Sequence, residues 1–296
     1  MSKSNLILRW SLGDYDTTTR TLMDKEKLRR FIQMAKLSIR SFQRFFDAEY
    51  YMGFNGENEK RFQSLWDEDE CELSKEVIFF NQRDFPNPYP TFFPLGGVWW
   101  KWVPFRLDNT KSEVSIDTDI ICIDNPISWN KWLNGKEELL ISHEAIQEVN
   151  ISTCGDVWDH MVIKGKRAFN CGIIGQKENV DYSDRFFQLT ELVDYSTWNG
   201  NFVTEQGLFN ILYRSLENEG IEHYVLPYKK NFQARHLMEY LEKGGKIETI
   251  HFTTKSKLIF YDLYFIMKRW SEGDDNRIHV LSKLTEWYLT NKQRLL

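Results

Sequence analysis

Two carboxylates one residue apart, Asp117 and Asp119, stand between apolar runs in the stretch from Glu113 to Asn125. Val114 and Ile116 precede them; Ile120, Ile121 and Ile123 follow. Runs of this kind read as one buried strand, ended by Asn125-Pro126. An uncompensated carboxylate in such a setting is strongly penalised, so the pair demands a partner or an exit to water. A divalent cation at the carboxyl end of the strand is one such partner. Hard cations take oxygen ligands and combine one or two carboxylates with substrate phosphates. A turn or a solvated face satisfies the same triplet, and these residues alone leave both options open.

A chain of 296 residues with 42% hydrophobic residues suffices for one large domain or two small ones. Its 38 basic and 43 acidic residues leave a net charge of −5, without the basic stripe that nucleic acid would require. No run approaches the ~18–20 apolar residues of a membrane span, so no transmembrane segment is expected. The first ten residues hold too short an apolar run for a signal peptide. Cys71, Cys122, Cys154 and Cys171 lack metal or disulfide spacing; Cys122 and Cys171, in apolar runs, read as reduced core residues, as in a cytosolic protein.

The opening residues predict a strand, a helix and a strand, the unit of a parallel sheet. Leu6–Trp10 is the first strand and Ala48–Phe54 the second. Between them Leu28, Phe31, Ile32, Ala35, Ile39, Phe42 and Phe46 recur at helical spacing, over a helix from about Asp24 to Asp47 with Asp24 as N-cap. Short helical and extended pieces follow at 59–67 and 77–80, and the proline-rich segment from Asp84 to Pro94 reads as a loop. Trp99, Trp100 and Trp102 then fit either a helix packed under the sheet or a wall that binds an acceptor. Residues 137–165 alternate short polar and apolar pieces and give no clear assignment. Ala168–Gly175 is a strand, with Gly172 where a backbone can approach a ligand closely. Helices are expected at 182–193 and 205–213, the latter capped by Thr204, and late strands at 224–226 and 247–252. Two helices, 257–270 and 275–293, close the chain.

Four separated motifs now stand in order: Ser115-Ile116-Asp117-Thr118-Asp119-Ile120-Ile121, Phe169-Asn170-Cys171-Gly172-Ile173-Ile174, Glu205-Gln206-Gly207-Leu208-Phe209-Asn210, and His251-Phe252-Thr253-Thr254-Lys255-Ser256-Lys257. Together they resemble nucleotide-sugar glycosyltransferases of the GT-A fold with a DxD motif. They are most similar to the retaining branch that includes glycogenin and the lipopolysaccharide galactosyltransferases. The chain departs from that pattern at Thr254, Leu258 and Glu205, where Gly, Pro and Asp are usual, and Lys101 is only an approximate counterpart of the conserved Arg.

The resemblance implies an α/β chain with a GT-A (Rossmann-like) mixed central sheet, flanking helices and C-terminal helices. It implies one domain over 1–296, with a nucleotide-binding half (1–125), an acceptor and donor-sugar half (126–256) and closing helices (257–296). It also implies a metal-dependent transfer of a sugar from a nucleotide donor, UDP-linked, to a glycan or other hydroxyl acceptor, with retention. Asp117, Asp119 and His251 would hold Mn2+ or Mg2+; two carboxylates with one imidazole suit Mn2+. Lys257 and Lys101 would face the diphosphate, and Asn170 and Gly172 would border the donor sugar. Gln206 would lie beneath the anomeric carbon, and Glu205 would bond sugar hydroxyls. Asp14 and Tyr15, after the first strand, are candidates for base and ribose, because ligands in open α/β sheets gather beyond the carboxyl ends of strands. An inverting enzyme would need a carboxylate base, for which Asp156 and Asp159 are candidates. Without an anchor, a cytoplasmic protein of bacterial or viral origin is the expectation.

Two other classes compete. A non-catalytic carbohydrate-binding protein would stack sugars on Trp99, Trp100, Trp102, Trp129 and Trp132. A nucleotidyltransferase would carry a Gly-rich basic loop after the first strand, where Leu12-Gly13-Asp14-Tyr15 is acidic.

Overall fold

The computed structural model describes residues 4–16, 21–56, 58–89, 97–193, 203–234, 246–253, 257–273 and 277–291. The chain opens with strand β1 (Leu6–Gly13), the short pair β2 (Tyr15–Asp16) and β3 (Thr21–Leu22), helix α1 (Lys25–Gln43) and strand β4 (Glu49–Asn55). The expected strand–helix–strand unit is present: β1 and β4 pair in parallel from Ile7↔Glu49 to Gly13↔Asn55. Asp24 caps α1 by accepting the Lys27 N–H at 2.7 Å. The helix ends at Gln43 rather than Asp47. It is buried on two sides: Leu28, Ile32, Ala35, Ile39 and Phe42 pack on the sheet, while Met34 and Leu37 pack against the C-terminal helices.

Further along come α2 (Glu59–Glu68), β5 (Val77–Asn81), α3 (Gly97–Trp100), β6 (Ser112–Ile116), β7 (Ile120–Cys122), α4 (Ile127–Asn134) and β8 (Leu139–Glu148). They are followed by α5 (Ile151–Cys154), β9 (Arg167–Gln176), α6 (Ser183–Leu189), α7 (Thr204–Asn218), β10 (His223–Leu226), β11 (Asn231–Gln233) and β12 (Thr249–His251). The main sheet has the order β10-β8-β9-β6-β1-β4-β5; β9 runs antiparallel to both β6 and β8, and the other pairs are parallel. A second sheet, β11-β12-β7, stands beside it.

The stretch from 113 to 125 is therefore two strands and not one. The chain leaves the main sheet after Ile116, turns at Asp117–Asp119, and enters the second sheet at Ile120. The Asp117 N–H donates to the Gly172 carbonyl at 2.8 Å, and the Ile120 N–H donates back to the Asp117 carbonyl at 3.2 Å. A turn at the strand end keeps both carboxylates out of the apolar ladder that would have penalised them.

The Trp-rich segment is core. Trp99, Trp100, Trp102, Trp129 and Trp132 are each 6% exposed or less. Trp102 packs on Phe209 of α7 with ring centroids 4.3 Å apart, and Trp129 packs on Phe42 of α1 at 5.3 Å. None of these rings offers an open face for stacking a sugar, which removes the basis for the carbohydrate-binding alternative. The unassigned 137–165 segment contains β8, a ten-residue strand whose register against β9 shifts twice, between Ile141 and Ser142 and between His143 and Glu148. These irregularities break the two-residue alternation by which a strand is recognised.

The closing segment holds three helices rather than two: α8 (Lys257–Asp262), α9 (Tyr264–Glu272) and α10 (Arg277–Asn291). Ile259, Phe260, Met267, Trp270, Val280 and Leu284 bury against α1 and the second sheet. All four cysteines are buried and unpaired. No helix among the described residues is long and apolar enough to cross a membrane.

Candidate active site

The two sheets meet at the turn after β6. His251 ends β12, whose antiparallel pairing with β7 sets His251 opposite Ile120. The Phe252 N–H donates to the Asp119 carbonyl at 2.9 Å and fixes the two segments together. His251 Nε2 then lies 3.1 Å from Asp119 Oδ1 and 3.7 Å from Asp117 Oδ2. One donor atom from each of the three residues falls within 4.8 Å of the others. Gly172 permits this approach. A Cβ there would sit 2.6 Å from His251 Cε1, so any larger residue would push the imidazole away.

Each carboxylate is held at its other oxygen by a lysine. Lys101 Nζ is 3.0 Å from Asp117 Oδ1, and Lys257 Nζ is 3.0 Å from Asp119 Oδ2. The lysines fix the carboxylate planes and leave the second oxygen of each turned towards His251. Burial alone would raise the Asp119 pKa, but the charges of Lys257 and His251 hold it below the usual carboxylate range. Burial opposes protonation of His251, yet Asp119 and Asp117 outweigh it and raise its pKa. A field that favours a proton on a buried imidazole would also favour a cation.

The residues present fit a divalent metal. Asp119 Oδ1 is buried and takes no well-aligned hydrogen bond, although His251 Nε2 is close by. Two ligands at right angles on one ion, each about 2.1 Å from it, stand about 3.0 Å apart, close to the 3.1 Å between His251 Nε2 and Asp119 Oδ1; the 3.7 Å to Asp117 Oδ2 is wider.

Lys101 belongs to the interior. Its ammonium group has three N–H donors, and three oxygens surround it: Asp117 Oδ1 at 3.0 Å, Glu205 Oε1 at 3.2 Å and the Cys171 carbonyl at 3.3 Å. Burial would lower its pKa, but Asp117 and Glu205 hold it protonated. Glu205 also faces inward. It accepts hydrogen bonds from Trp102 Nε1 and, at 3.1 Å, from the Cys171 thiol. Burial raises its pKa against the opposing charge of Lys101.

Gln206, the next residue of α7, is 6% exposed and fully engaged. Its Oε1 accepts from Asn170 Nδ2 at 3.1 Å and from the Cys171 N–H at 3.4 Å; its Nε2 donates to the Thr153 carbonyl at 2.7 Å and to Glu144 Oε2 at 3.3 Å. The start of α7 is held by close backbone contact. Gly155 adopts φ +55°, and a Cβ there would meet Thr204 Oγ1 at 2.2 Å; one at Gly207 would meet the Cys154 carbonyl at 2.3 Å. Thr204 is the first residue of the helix and not its cap. Its hydroxyl instead donates to Asp156 Oδ2 at 3.2 Å.

The structure thus brings Asp117, Asp119, His251, Lys101 and Lys257 into one cluster, with Glu205, Gln206, Asn170 and Gly172 along its wall. Asp156 is solvent-exposed and tied to Thr204; Asp159 is exposed. Asp14 is buried at the end of β1, and its Oδ2 accepts the Asn58 N–H at 3.4 Å. The side chain of Tyr15 and all of Thr254–Ser256 lie outside the described residues. Glu144 and Gln233 at this site were not anticipated. The available signal was a lone acid in Leu139-Leu140-Ile141-Ser142-His143-Glu144, the same signal that drew attention to Asp117.

No family model matches the sequence, and no curated protein sequence matches it. Solved structures do match. The bifunctional glycosyltransferase WbbM, in its apo form, aligns with TM-score 0.56 and 13% identity over 96% of this chain and 52% of that one. The galactosyltransferase LgtC, solved with donor and acceptor sugar analogues, aligns with TM-score 0.50 and 10% identity over 88% and 95%. The glycosyltransferase GlyE of Streptococcus pneumoniae TIGR4 gives 0.50 and 12% over 96% and 63%; this chain spans about half the length of WbbM and under two thirds of GlyE. With its mixed seven-stranded sheet, flanking helices and C-terminal helices, the chain has the GT-A fold of these glycosyltransferases.

Proposed function

We propose that the protein is a metal-dependent glycosyltransferase that moves a sugar from a UDP-linked donor to a hydroxyl of a glycan, with retention of configuration. The observation that carries this reading is the convergence of Asp117, Asp119 and His251 at the carboxyl end of β6, each carboxylate fixed by a lysine on its far side. On a GT-A fold that is where a nucleotide diphosphate would be held. Residues 1–125 would form the nucleotide half, with Asp14 and Tyr15 near base and ribose; 126–256 would serve the donor sugar and acceptor, and 257–296 would close the body.

Mn2+ or Mg2+ would be held by Asp117, Asp119 and His251, and when bound supplies Lewis acidity towards the departing diphosphate. Lys257 adds a fixed positive charge beside it, of the kind that stabilises developing negative charge in a buried site. Asn170 and Gly172 would border the donor sugar, and Gln206 would lie against its reacting face. Retention is favoured because the polar side chain between Asn170 and Glu144 is an amide and not a carboxylate base. Of the two candidate bases for an inverting reaction, Asp156 is turned to Thr204 and Asp159 is exposed.

Nucleotide sugars should raise the melting temperature when Mn2+ is present, since ligand binding stabilises in proportion to the logarithm of concentration over dissociation constant. They should also be hydrolysed slowly in an Mn2+-dependent way. Failure of every nucleotide sugar in both assays would remove the transferase assignment.

A further inference from the structure

Glu144 lies on β8, one residue beyond His143 and within the irregular part of the strand. It is 6% exposed. Three amide side chains from three different elements converge on its carboxylate. Asn170 Nδ2 of β9 donates to Oε2 at 2.7 Å, Gln206 Nε2 of α7 donates to the same oxygen at 3.3 Å, and Gln233 Nε2 of β11 donates to Oε1. Gln233 lies directly opposite His251 in the second sheet.

An ionised carboxylate only accepts hydrogen bonds, whereas a primary amide can present either end. A carboxylate at Glu144 therefore favours the nitrogen end of each amide. Because Asn170 must turn its nitrogen to Glu144, its oxygen accepts the Gly172 N–H at 2.9 Å. Gln206 Nε2 faces two acceptors, the Thr153 carbonyl at 2.7 Å and Glu144 at 3.3 Å, so its oxygen faces the backbone of β9 at Cys171. We propose that Glu144 is a positioning residue that sets the amide orientation of Asn170 and, together with the Thr153 carbonyl, that of Gln206 on the donor-sugar side of the site. The proposal rests on the transferase reading for what those amides do, but not for how they are oriented.

Glu144→Gln keeps the shape and removes the charge, placing a fourth amide among three. Turnover of the nucleotide sugar should fall by about 10–100-fold, the range for loss of a supporting partner, while donor KM and Mn2+ affinity change less than about threefold. In side-chain 15N–1H spectra, the Asn170 amide protons should exchange slowly in the wild type and lose that protection in the variant. The double variant Glu144→Gln/Gln206→Glu restores one carboxylate among the amides with its polarity reversed. Its carboxylate would also meet the Thr153 carbonyl, which Gln206 Nε2 now bonds at 2.7 Å, so it should recover neither melting temperature nor turnover. Wild-type kcat in Glu144→Gln, or recovered kcat in the double variant, overturns the proposal. If the wild-type protein turns over no nucleotide sugar, the transferase reading fails by itself. The exchange measurement then decides on Glu144: lost protection supports the proposal, and unchanged protection overturns it.

Discussion

Strand β6 has a buried charge cluster at each end, and the two are built differently. At the entry end, Glu113 lies between two arginines, with Arg9 Nε at 3.0 Å from Oε1 and Arg106 Nε at 4.0 Å from Oε2. The guanidinium groups are otherwise spent on main-chain carbonyls: Arg9 on Pro104 and Phe105, Arg106 on Asp108, Lys111, Lys177 and Val180. Cation exceeds anion there, and Glu113 Oε1 faces a permanent positive charge. At the exit end Asp117, Asp119 and Glu205 share two ammonium groups, Lys101 and Lys257, while Glu144 is held only by amides. Asp119 Oδ1 faces an imidazole. The first cluster fastens loops to the sheet. The second has an excess of negative charge focused on one point, as a cation site requires and a structural network does not.

The comparison breaks most sharply under Asp119→Asn. A ligand removed outright should cost more than the 10–100-fold typical of its supporting partners, so turnover should fall by at least about 100-fold. Mn2+ should no longer shift the melting curve, and the melting temperature without metal should fall only modestly, as Lys257 and His251 lose the Asp119 charge. Glu113→Gln should do the reverse. It leaves two buried guanidinium groups uncompensated, at a cost of about 3–5 kcal/mol, and should lower the melting temperature while Mn2+ binding survives. Loss of Mn2+ binding with an unchanged melt would show that the two ends are not separate in role.

Gly172→Ala is a milder perturbation of the exit end. The new methyl group would displace His251, and Mn2+ affinity should drop by about 10–100-fold without loss of fold, read by metal titration. The smallest effect is expected at His143, which lies near the exit end but is not one of the candidate ligands. Burial, with Arg167 and Arg214 nearby, lowers its pKa to about 4. The folded protein therefore holds His143 neutral where the unfolded chain binds a proton. Stability from this group is complete above about pH 6.5 and is lost as pH falls from there towards 4. His143→Gln should flatten the melting temperature across that interval relative to the wild type; an identical slope would assign the dependence elsewhere.

The exit cluster was partly legible in the sequence, and the entry cluster not at all. Asp117 and Asp119 were visible because acids between apolar runs conflict with burial, and β1, α1 and β4 because their periodicity is regular. The break into β6 and β7 was not visible, since the apolar pattern continues across it and only the Gly172 carbonyl shows where the chain turns. Trp99, Trp100 and Trp102 have one composition for core and for binding surface, and long-range packing on Phe209 decided between them. Glu144 was hidden because the register shifts of β8 erase the strand signal around it. Lys101 and Glu205 were located by resemblance, but their pairing across 104 residues of chain depends on α7 docking beneath β9. The break in the last helices falls at Leu263, inside a continuous apolar pattern.

The most direct test of the cation site is a count of bound Mn2+ by electron paramagnetic resonance, with UDP present, in the wild type and in Asp117→Asn/Asp119→Asn. A single bound Mn2+ per chain in the wild type, and none in a double variant with an intact melting transition, is the predicted result. Absence of bound Mn2+ in the wild type, or equal binding in both proteins, would contradict the assignment of Asp117, Asp119 and His251 as its ligands.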